Sequence, residues 1–501
     1  MAYKHSYYFY FLFAILLIFD ANVAKLLFQR LTFSGFLEWQ EGTTMSIIVS
    51  DLHNLYNTQA TTDTQITIYP GLFYLSGWIW SKAMEFFGFE TTLPLLRFFY
   101  ITLPLVGICI TLWRLWIREY NSRMTSIISI LMFFLVVLFH KWLDLARMEM
   151  FLLFCSVLLA SLCLLDHKTL RHYIYIGCII GIGTGFKQTV ILLVGTTAVL
   201  AIFFDRKYWI SLGIALSIAI GLVVFFLYLW GDGYWACSFS LPKSHSVSVK
   251  KIVKVLPHIA CLLTLFWLVL QNKKQKYWQL AILITSILAI CLISLIKDGG
   301  SRMNMDWILV YGMTIFIPII LYHSSNPIKL INQHIIGLII LIFITIQAKN
   351  IQTPKYSPNN QIYFQYQKLV TDVMDHYQTH VSTYPFFNIQ HAKKLGKTSP
   401  FIFNEADGWV LIDLKKDDGN FLFKDYPEVI FGTSHIAYTQ LCMKTYIVVA
   451  KIKGQTYARM NPSPAISFFS DVIIAKNEAI ARNLADILKN PQYSSMIQVI
   501  Y

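Results

Sequence analysis

Long apolar runs separated by short polar breaks dominate the first 348 residues. Runs that can cross a hydrocarbon core, roughly 17–25 residues each, fall at about 7–28, 94–116, 125–141, 149–165, 172–187, 188–204, 208–230, 253–270, 278–296, 306–323 and 331–348. They predict eleven transmembrane helices. The first run follows Lys4 and carries no small-residue cleavage pattern, so it reads as a retained anchor. The stretch YPGLFYLSGWIWSKAMEFFGF (69–89) is apolar but interrupted by Gly, Ser, Lys82 and Glu85, which predicts an interfacial helix lying on the membrane. After Gln347 the pattern changes to short mixed segments richer in charge, Pro and Gly. KTYIVVAKI (444–452) predicts a buried strand and NEAIARNLADILK (477–489) an amphipathic helix, with TPKYSPNNQ (353–361) as linker.

Composition agrees with the pattern: 56% of the 501 residues are hydrophobic and only 14% charged, which is not the balance of a soluble globular chain. The expectation is a mainly α polytopic membrane helix bundle with a small extracytoplasmic α/β C-terminal domain, divided into residues 1–348 and 349–501. The net charge of +14 could indicate nucleic acid. The basic residues, however, fall as small groups beside apolar runs rather than in one stripe, which is how topology determinants are distributed. Of the eight cysteines, Cys109, Cys155, Cys163, Cys178, Cys261 and Cys291 lie in apolar runs and no C-x-x-C pair occurs. Neither a disulfide framework nor a zinc site is indicated.

Charge also sets the orientation. With the N-terminus cytoplasmic, the inside loops are Arg114–Arg123, DHKTLRH (166–172), DRK (205–207), NKKQK (272–276) and the segment near Lys329, all short and basic. The outside then holds residues 29–93, 142–148, the turn around Lys187, 231–252 and 297–305, and the domain after residue 348. KSHSVSVKK is basic and also outside, against the rule. On that outer face lie Asp144, Arg147, Glu149, Lys187, His245, Lys297, Asp298 and Arg302, together with LEWQEGTTM (37–45). Each charge would cost roughly 2.5–3.5 kcal/mol at the bilayer centre. At span mouths on one face they can share a water-accessible cavity instead.

The order of the outer motifs is WQEG (39–42), LY (55–56), YPGLFY (69–74), LLRFF (95–99), WLDLARMEM (142–150), GTGFKQT (183–189), LPKSH (241–245) and KDGGSRMN (297–304). Over roughly residues 7–348 this resembles the membrane glycosyltransferases of the GT-C fold, and within them the bacterial dolichyl-phosphate-mannose-protein mannosyltransferase-like group that includes the lipid A aminoarabinose transferases. There are departures. Arg147-x-Glu149 stands where the group has Arg-x-Asp, YPGL replaces Pro-Pro-Leu, and the Trp-Trp-Asp-Tyr-Gly signature of oligosaccharyltransferases is absent.

The resemblance implies transfer of a monosaccharide from a polyprenyl-phosphate carrier to an extracytoplasmic lipid, glycan or protein acceptor, in a single inverting displacement at a bacterial inner membrane. Such chemistry needs a carboxylate to take the acceptor's proton and fixed cations for the phosphate leaving group. Glu41 occupies the acidic position of the first-loop motif and is the expected base, with Glu38 as fallback. Arg147, whose planar fork suits oxyanions, and Lys187, beside Gly183 and Gly185, are expected at the phosphate, and Glu149 at the acceptor or a neighbouring cation. Arg302, in a glycine-rich loop, could reach the same phosphate, and His245 could hydrogen-bond phosphate or sugar. Tyr69, Tyr74, Trp78 and Trp80 read as interface-belt aromatics, some able to stack on a sugar ring.

Each assignment has a plainer counterpart: a solvated loop carboxylate for Glu41, a span-end ion pair for Arg147 and Glu149, a snorkelling lysine for Lys187, an exposed His245. Glu38, Glu41, Glu149 and Asp298 could collect a divalent cation, but a single-phosphate donor carries less charge to neutralise than a pyrophosphate, so no obligatory metal is expected. The competing class is a transporter or lipid flippase for lipid-linked sugars, which would place polar residues and Gly/Pro breaks near span midpoints; here the charges sit at the mouths.

Overall fold

The computed structural model describes residues 6–33, 39–49, 52–56, 64–67, 69–137, 143, 145–240, 253, 256–270, 274–296, 311–312 and 314–320, and short strands beyond residue 380. Helices occupy the expected spans along most of this length: α1 (Ser6–Thr32), α5 (Leu103–Tyr120), α6 (Arg123–Val137), α7 (Glu149–Cys163), α8 (Leu170–Phe186), α9 (Ile191–Phe203), α10 (Tyr208–Trp235), α11 (Leu256–Leu270) and α12 (Gln275–Ile296). Shorter helices α2 (Trp39–Val49), α3 (Gly71–Phe86) and α4 (Leu93–Arg97) lie between the first two. Among the described residues, three helical stretches are long and apolar enough to cross a membrane: Leu93–Tyr120, Tyr208–Phe239 and Gln275–Ile293. The run expected at 331–348 lies outside the described residues.

Leu93–Tyr120 is continuous but not uniform. Thr92 caps it by accepting from the Leu95 N–H at 3.4 Å, with Pro94 in the first turn, where a missing N–H does no harm. Phe98–Thr102 then widens into a π-helical turn just ahead of Pro104. Proline cannot supply the donor the regular ladder needs there, and a π turn is one way of absorbing the gap.

α8 and α10 pack along their length, and glycines make the approach close. A Cβ on Gly177 would stand 2.7 Å from the Ser211 carbonyl oxygen, and one on Gly181 2.7 Å from Ile218 Cβ. The four-residue spacing of these small residues is the device by which apolar helices meet without a hydrophobic driving force. α10 kinks at Gly231, whose φ of 59° favours glycine, and ends in a π-helical turn, Ala236–Ser240.

At the end of the bundle holding the C-termini of α5, α7 and α9, polar groups form a closed brace. Lys276 Nζ donates to Glu119 at 2.6 Å and to Asp166 at 3.0 Å. Lys168 Nζ donates to the Cys163 and Leu165 carbonyls and to Gln279, which also accepts from Tyr208. Burial pushes the Asp166 carboxyl up, but the bond and charge of Lys276 outweigh it and hold it below the usual carboxylate range. Asp205, bonded by the Tyr173 hydroxyl and the Lys207 N–H, is likewise opposed by burial and held low.

Beyond the bundle a five-stranded sheet has the order β2 (Val381–Tyr384), β4 (Ile430–Thr433), β6 (Gln455–Asn461), β5 (Thr445–Ile452), β7 (Ile497–Ile500). Its pairs are parallel except the β5–β6 hairpin. β5 is the strand expected at 444–452; the helix expected at 477–489 and the linker at 353–361 lie outside the described residues. β1 (Thr64–Ile66), in the segment between α2 and α3, pairs in parallel with β3 (Phe401–Phe403).

Candidate active site at one end of the bundle

The end opposite the Lys276 brace collects the charges singled out in the sequence. Glu41 lies in the first turn of α2, where the helix dipole favours an anion. It is fully buried and forms a bidentate ion pair with Arg97, the last residue of α4: Nε to Oε1 at 2.8 Å and Nη2 to Oε2 at 2.6 Å. Arg97 Nη1 also donates to the carbonyls of Arg30, at 3.1 Å, and Phe33, so the guanidinium ties the end of α1 to α2. A second bond to Glu41 Oε1 comes from the Ala146 N–H at 2.9 Å. That bond fixes the turn before α7, which the Arg147 N–H closes on the Leu145 carbonyl at 2.7 Å.

This turn presents Arg147. Its Nε donates to Glu149 Oε2 at 3.2 Å, and its Nη2 to Glu149 Oε1 at 3.3 Å and to the Tyr69 hydroxyl at 3.2 Å. Arg147 and Glu149 are 3% and 1% exposed, so this is an interior pair rather than a solvated span-end pair. Tyr69 is held in turn by the Tyr56 hydroxyl, which donates to its carbonyl. Tyr69 therefore belongs to the charged cluster and not to an interface belt. Tyr74 is also no belt residue: it is buried with its hydroxyl 2.9 Å from that of Thr67. Trp80 donates Nε1–H to the Leu95 carbonyl and stacks on Phe99.

Lys187 joins the same region from α8. The helix stops because Lys187 is extended, with φ −149° and ψ 119°. Phe186 stacks on Phe151 with ring centroids 5.2 Å apart, which clamps the end of α8 to the start of α7. The ionised groups acting on Lys187 are Glu149 and Arg147. Its side chain lines a small, almost wholly apolar cavity of about 20 Å³ with Leu152, Ser156, Gly183, Val190 and Ile287, room for about one water molecule.

The structure thus brings together Glu41, Tyr69, Arg147, Glu149 and Lys187. Glu38, Asp144, His245, Asp298 and Arg302 lie outside the described residues. Among the described residues no group of three or more His, Cys, Asp or Glu side chains could hold a metal ion. Sequence reasoning missed Arg97, the partner of Glu41, although the signal was present: an arginine inside LPLLRFFYITLPL must find acceptors in the interior.

No sequence family and no curated relative matches the chain. Solved structures do. ArnT from Cupriavidus metallidurans, bound to undecaprenyl phosphate, superposes with a TM-score of 0.50 at 10% identity, over 97% of this chain and 90% of its own. The fold is of the GT-C type. Two structures of the Archaeoglobus fulgidus oligosaccharyltransferase also match: one tethered to an acceptor peptide, at TM-score 0.45 and 12% identity over 79% and 64% of the two chains, and AglB with an inhibitory peptide and dolichol-phosphate, at 0.47 and 10% over 93% and 75%. The GT-C fold places this chain among integral membrane proteins with apolar helical bundles.

Proposed function

We propose that the chain is a membrane glycosyltransferase that moves a monosaccharide from a polyprenyl-phosphate carrier to an extracytoplasmic acceptor. The observation that carries this reading is the convergence of two guanidinium–carboxylate pairs and a lysine, from four separate segments, at one end of a GT-C-type bundle. In the reaction the acceptor oxygen bonds to the anomeric carbon while the bond from that carbon to the phosphate oxygen breaks. The electron pair leaves on the lipid phosphate, and the acceptor's proton goes to a carboxylate. One displacement inverts the centre. Arg147 and Lys187 stabilise the phosphate as its charge grows, and Glu149 steadies Arg147 and orients the acceptor. Glu41 is the base. Arg97 fixes the position of its carboxylate through the bidentate pair. Two cations suffice for a single-phosphate leaving group, so this reading requires no metal.

Mass spectrometry of envelope glycolipids and glycoproteins tests it. A strain lacking the chain should lose one monosaccharide mass from a defined species. Wild type should restore that mass, and Glu41→Gln and Arg147→Ala, at normal membrane abundance, should not. An unchanged glycan profile in the deletion strain overturns the function, and restoration by Glu41→Gln removes Glu41 from the role of base.

A further inference from the structure

We propose that Tyr56 and Gln188 are positioning residues. They tie Arg147, through Tyr69, and Lys187, through its own turn, to one support, the kinked end of α10, and so hold both cations on a single phosphate. This rests on the glycosyltransferase reading, which assigns both cations to that phosphate.

The support begins at Trp230, just before Gly231 breaks α10 at φ 59° and ψ −151°, a conformation that is essentially glycine's alone. It runs to the π-helical turn Ala236–Ser240. The 52–56 segment is seated on it by three contacts. Trp230 Nε1–H donates to the Leu52 carbonyl at 2.7 Å. The Tyr56 ring stands between those of Trp230 and Tyr234, with centroids 5.1 Å from each. The Tyr56 carbonyl lies so close to Gly233 that a Cβ there would not fit. Tyr56 itself is fully buried at φ 65°, a left-handed conformation that a tyrosine keeps only where its surroundings over-determine it.

From this seat the contacts lead to Arg147. The Tyr56 hydroxyl donates to the Tyr69 carbonyl, and the Tyr69 hydroxyl accepts from Arg147 Nη2 at 3.2 Å. Gly71, two residues on, packs against the Trp230 ring with no room for a Cβ, so the support holds Tyr69 from both sides. The second tie is shorter. α8 ends at Lys187 in extended backbone, and the next residue grips the same support: Gln188 Nε2 donates to the Ser238 carbonyl, in the π turn, at 3.3 Å. Two cations carried by different segments serve one oxyanion only if both are held in place. A shared support does that.

Binding of undecaprenyl phosphate, and of the uncharged undecaprenol, to the purified full-length chain in detergent tests this in double-mutant cycles. Tyr56→Phe and Gln188→Met should each bind the phosphate lipid about three- to tenfold more weakly, the range one hydrogen bond supplies, and bind undecaprenol as wild type does. The couplings should also be crossed. Tyr56 acts through Arg147, so Tyr56→Phe should cost nothing further in an Arg147→Ala chain but its full factor in a Lys187→Ala chain. Gln188→Met should cost nothing further beside Lys187→Ala but its full factor beside Arg147→Ala. A purely structural role loosens the fold without regard to partner. An equal factor in every background, equal weakening toward undecaprenol, or wild-type affinity in both variants therefore overturns the proposal. Failure of wild type to prefer the phosphate lipid over undecaprenol overturns the phosphate assignment in the glycosyltransferase reading itself, and the positioning roles with it.

Discussion

Replacing Arg97 by methionine isolates the brace behind the candidate base. Methionine keeps much of the stem's length and apolar bulk but removes every donor. Glu41, fully buried, would then keep only the Ala146 N–H among the bonds described here, and the carbonyls of Arg30 and Phe33 would lose their shared donor. Leaving one member of a buried pair uncompensated costs about 3–5 kcal/mol. With an unfolding entropy of roughly 2.1 cal/mol/K per residue over the chain, that loss lowers the melting temperature by about 3–5 °C. Glu41→Leu alone strands the guanidinium and should cost a similar amount. The double variant removes both charges together, so its loss should fall short of the sum of the singles by about 2 kcal/mol, the coupling expected of groups in direct contact.

Buried thiols provide the assay. Cys163, Cys237 and Cys291 are buried, so a thiol-reactive fluorophore reports their exposure as detergent-solubilised protein unfolds. All variants must be heated at one rate, since membrane-protein unfolding is commonly irreversible. Additive single-variant losses, or a shift within about 1 °C for Arg97→Met, would refute the reasoning. The pair would then be an ornament of the interior and not the tie between α1, α2 and the turn that presents Arg147.

Three further outcomes follow from the rest of the bundle. Lys276→Met leaves Glu119, whose side chain is 5% exposed, with the half-exposed Arg118 at 3.4 Å as its remaining cation; the loss should fall below the roughly 3–5 kcal/mol of a fully stranded buried charge, with Glu119→Gln in the same chain recovering part of it in the same melting assay. Gly181→Val forces α8 and α10 apart, because a Cβ there already stands 2.7 Å from Ile218; a loss of at least about 1–3 kcal/mol is expected, and a melting temperature equal to wild type would contradict the packing. Asp166 and Asp205 titrate below the 3.8 of a free aspartate in the folded chain, so the stability they contribute is complete above that value and disappears as pH falls through their folded pKa values. These two groups should leave melting flat between about pH 5 and pH 8 and lower it below about pH 4, and Asp166→Asn with Asp205→Asn should blunt that acid loss.

Much of the fold was legible because apolar runs and their breaks carry the signal directly. The helices at Glu149–Cys163, Leu170–Phe186 and Tyr208–Trp235 lie within a few residues of runs expected at 149–165, 172–187 and 208–230. Charges at those breaks were legible for the same reason, and Glu41, Arg147, Glu149 and Lys187 do come together. Local backbone geometry was less visible. The π turn at Phe98–Thr102 depends on how the ladder accommodates Pro104, and the kink at Gly231 occurs where α10 meets the 52–56 segment, through the Trp230 Nε1–H bond to the Leu52 carbonyl. Neither is encoded in hydropathy. Tyr74 was misread as a belt residue because an aromatic in a half-apolar helix looks the same whether it faces lipid or the core.

The harder residues are charges hidden inside the runs, and Arg97 and Asp20 show that one rule does not cover them. Averaged hydropathy absorbs both, yet a lone charge in an apolar helix must either be paired or mark something unusual. Arg97 lies in the first helical turn of its span, close enough to loops for its donors to reach a carboxylate and two carbonyls. Asp20 lies in the middle of α1, 6% exposed, and neither carboxyl oxygen has a hydrogen-bond partner among the described residues. An arginine can brace several segments because its fork offers five donors. An aspartate that deep, amid helices whose backbone donors are already used within their own ladders, finds none to accept from among the described residues. Depth along the span, rather than charge itself, decides which buried ionisable group becomes part of a site and which remains unmet.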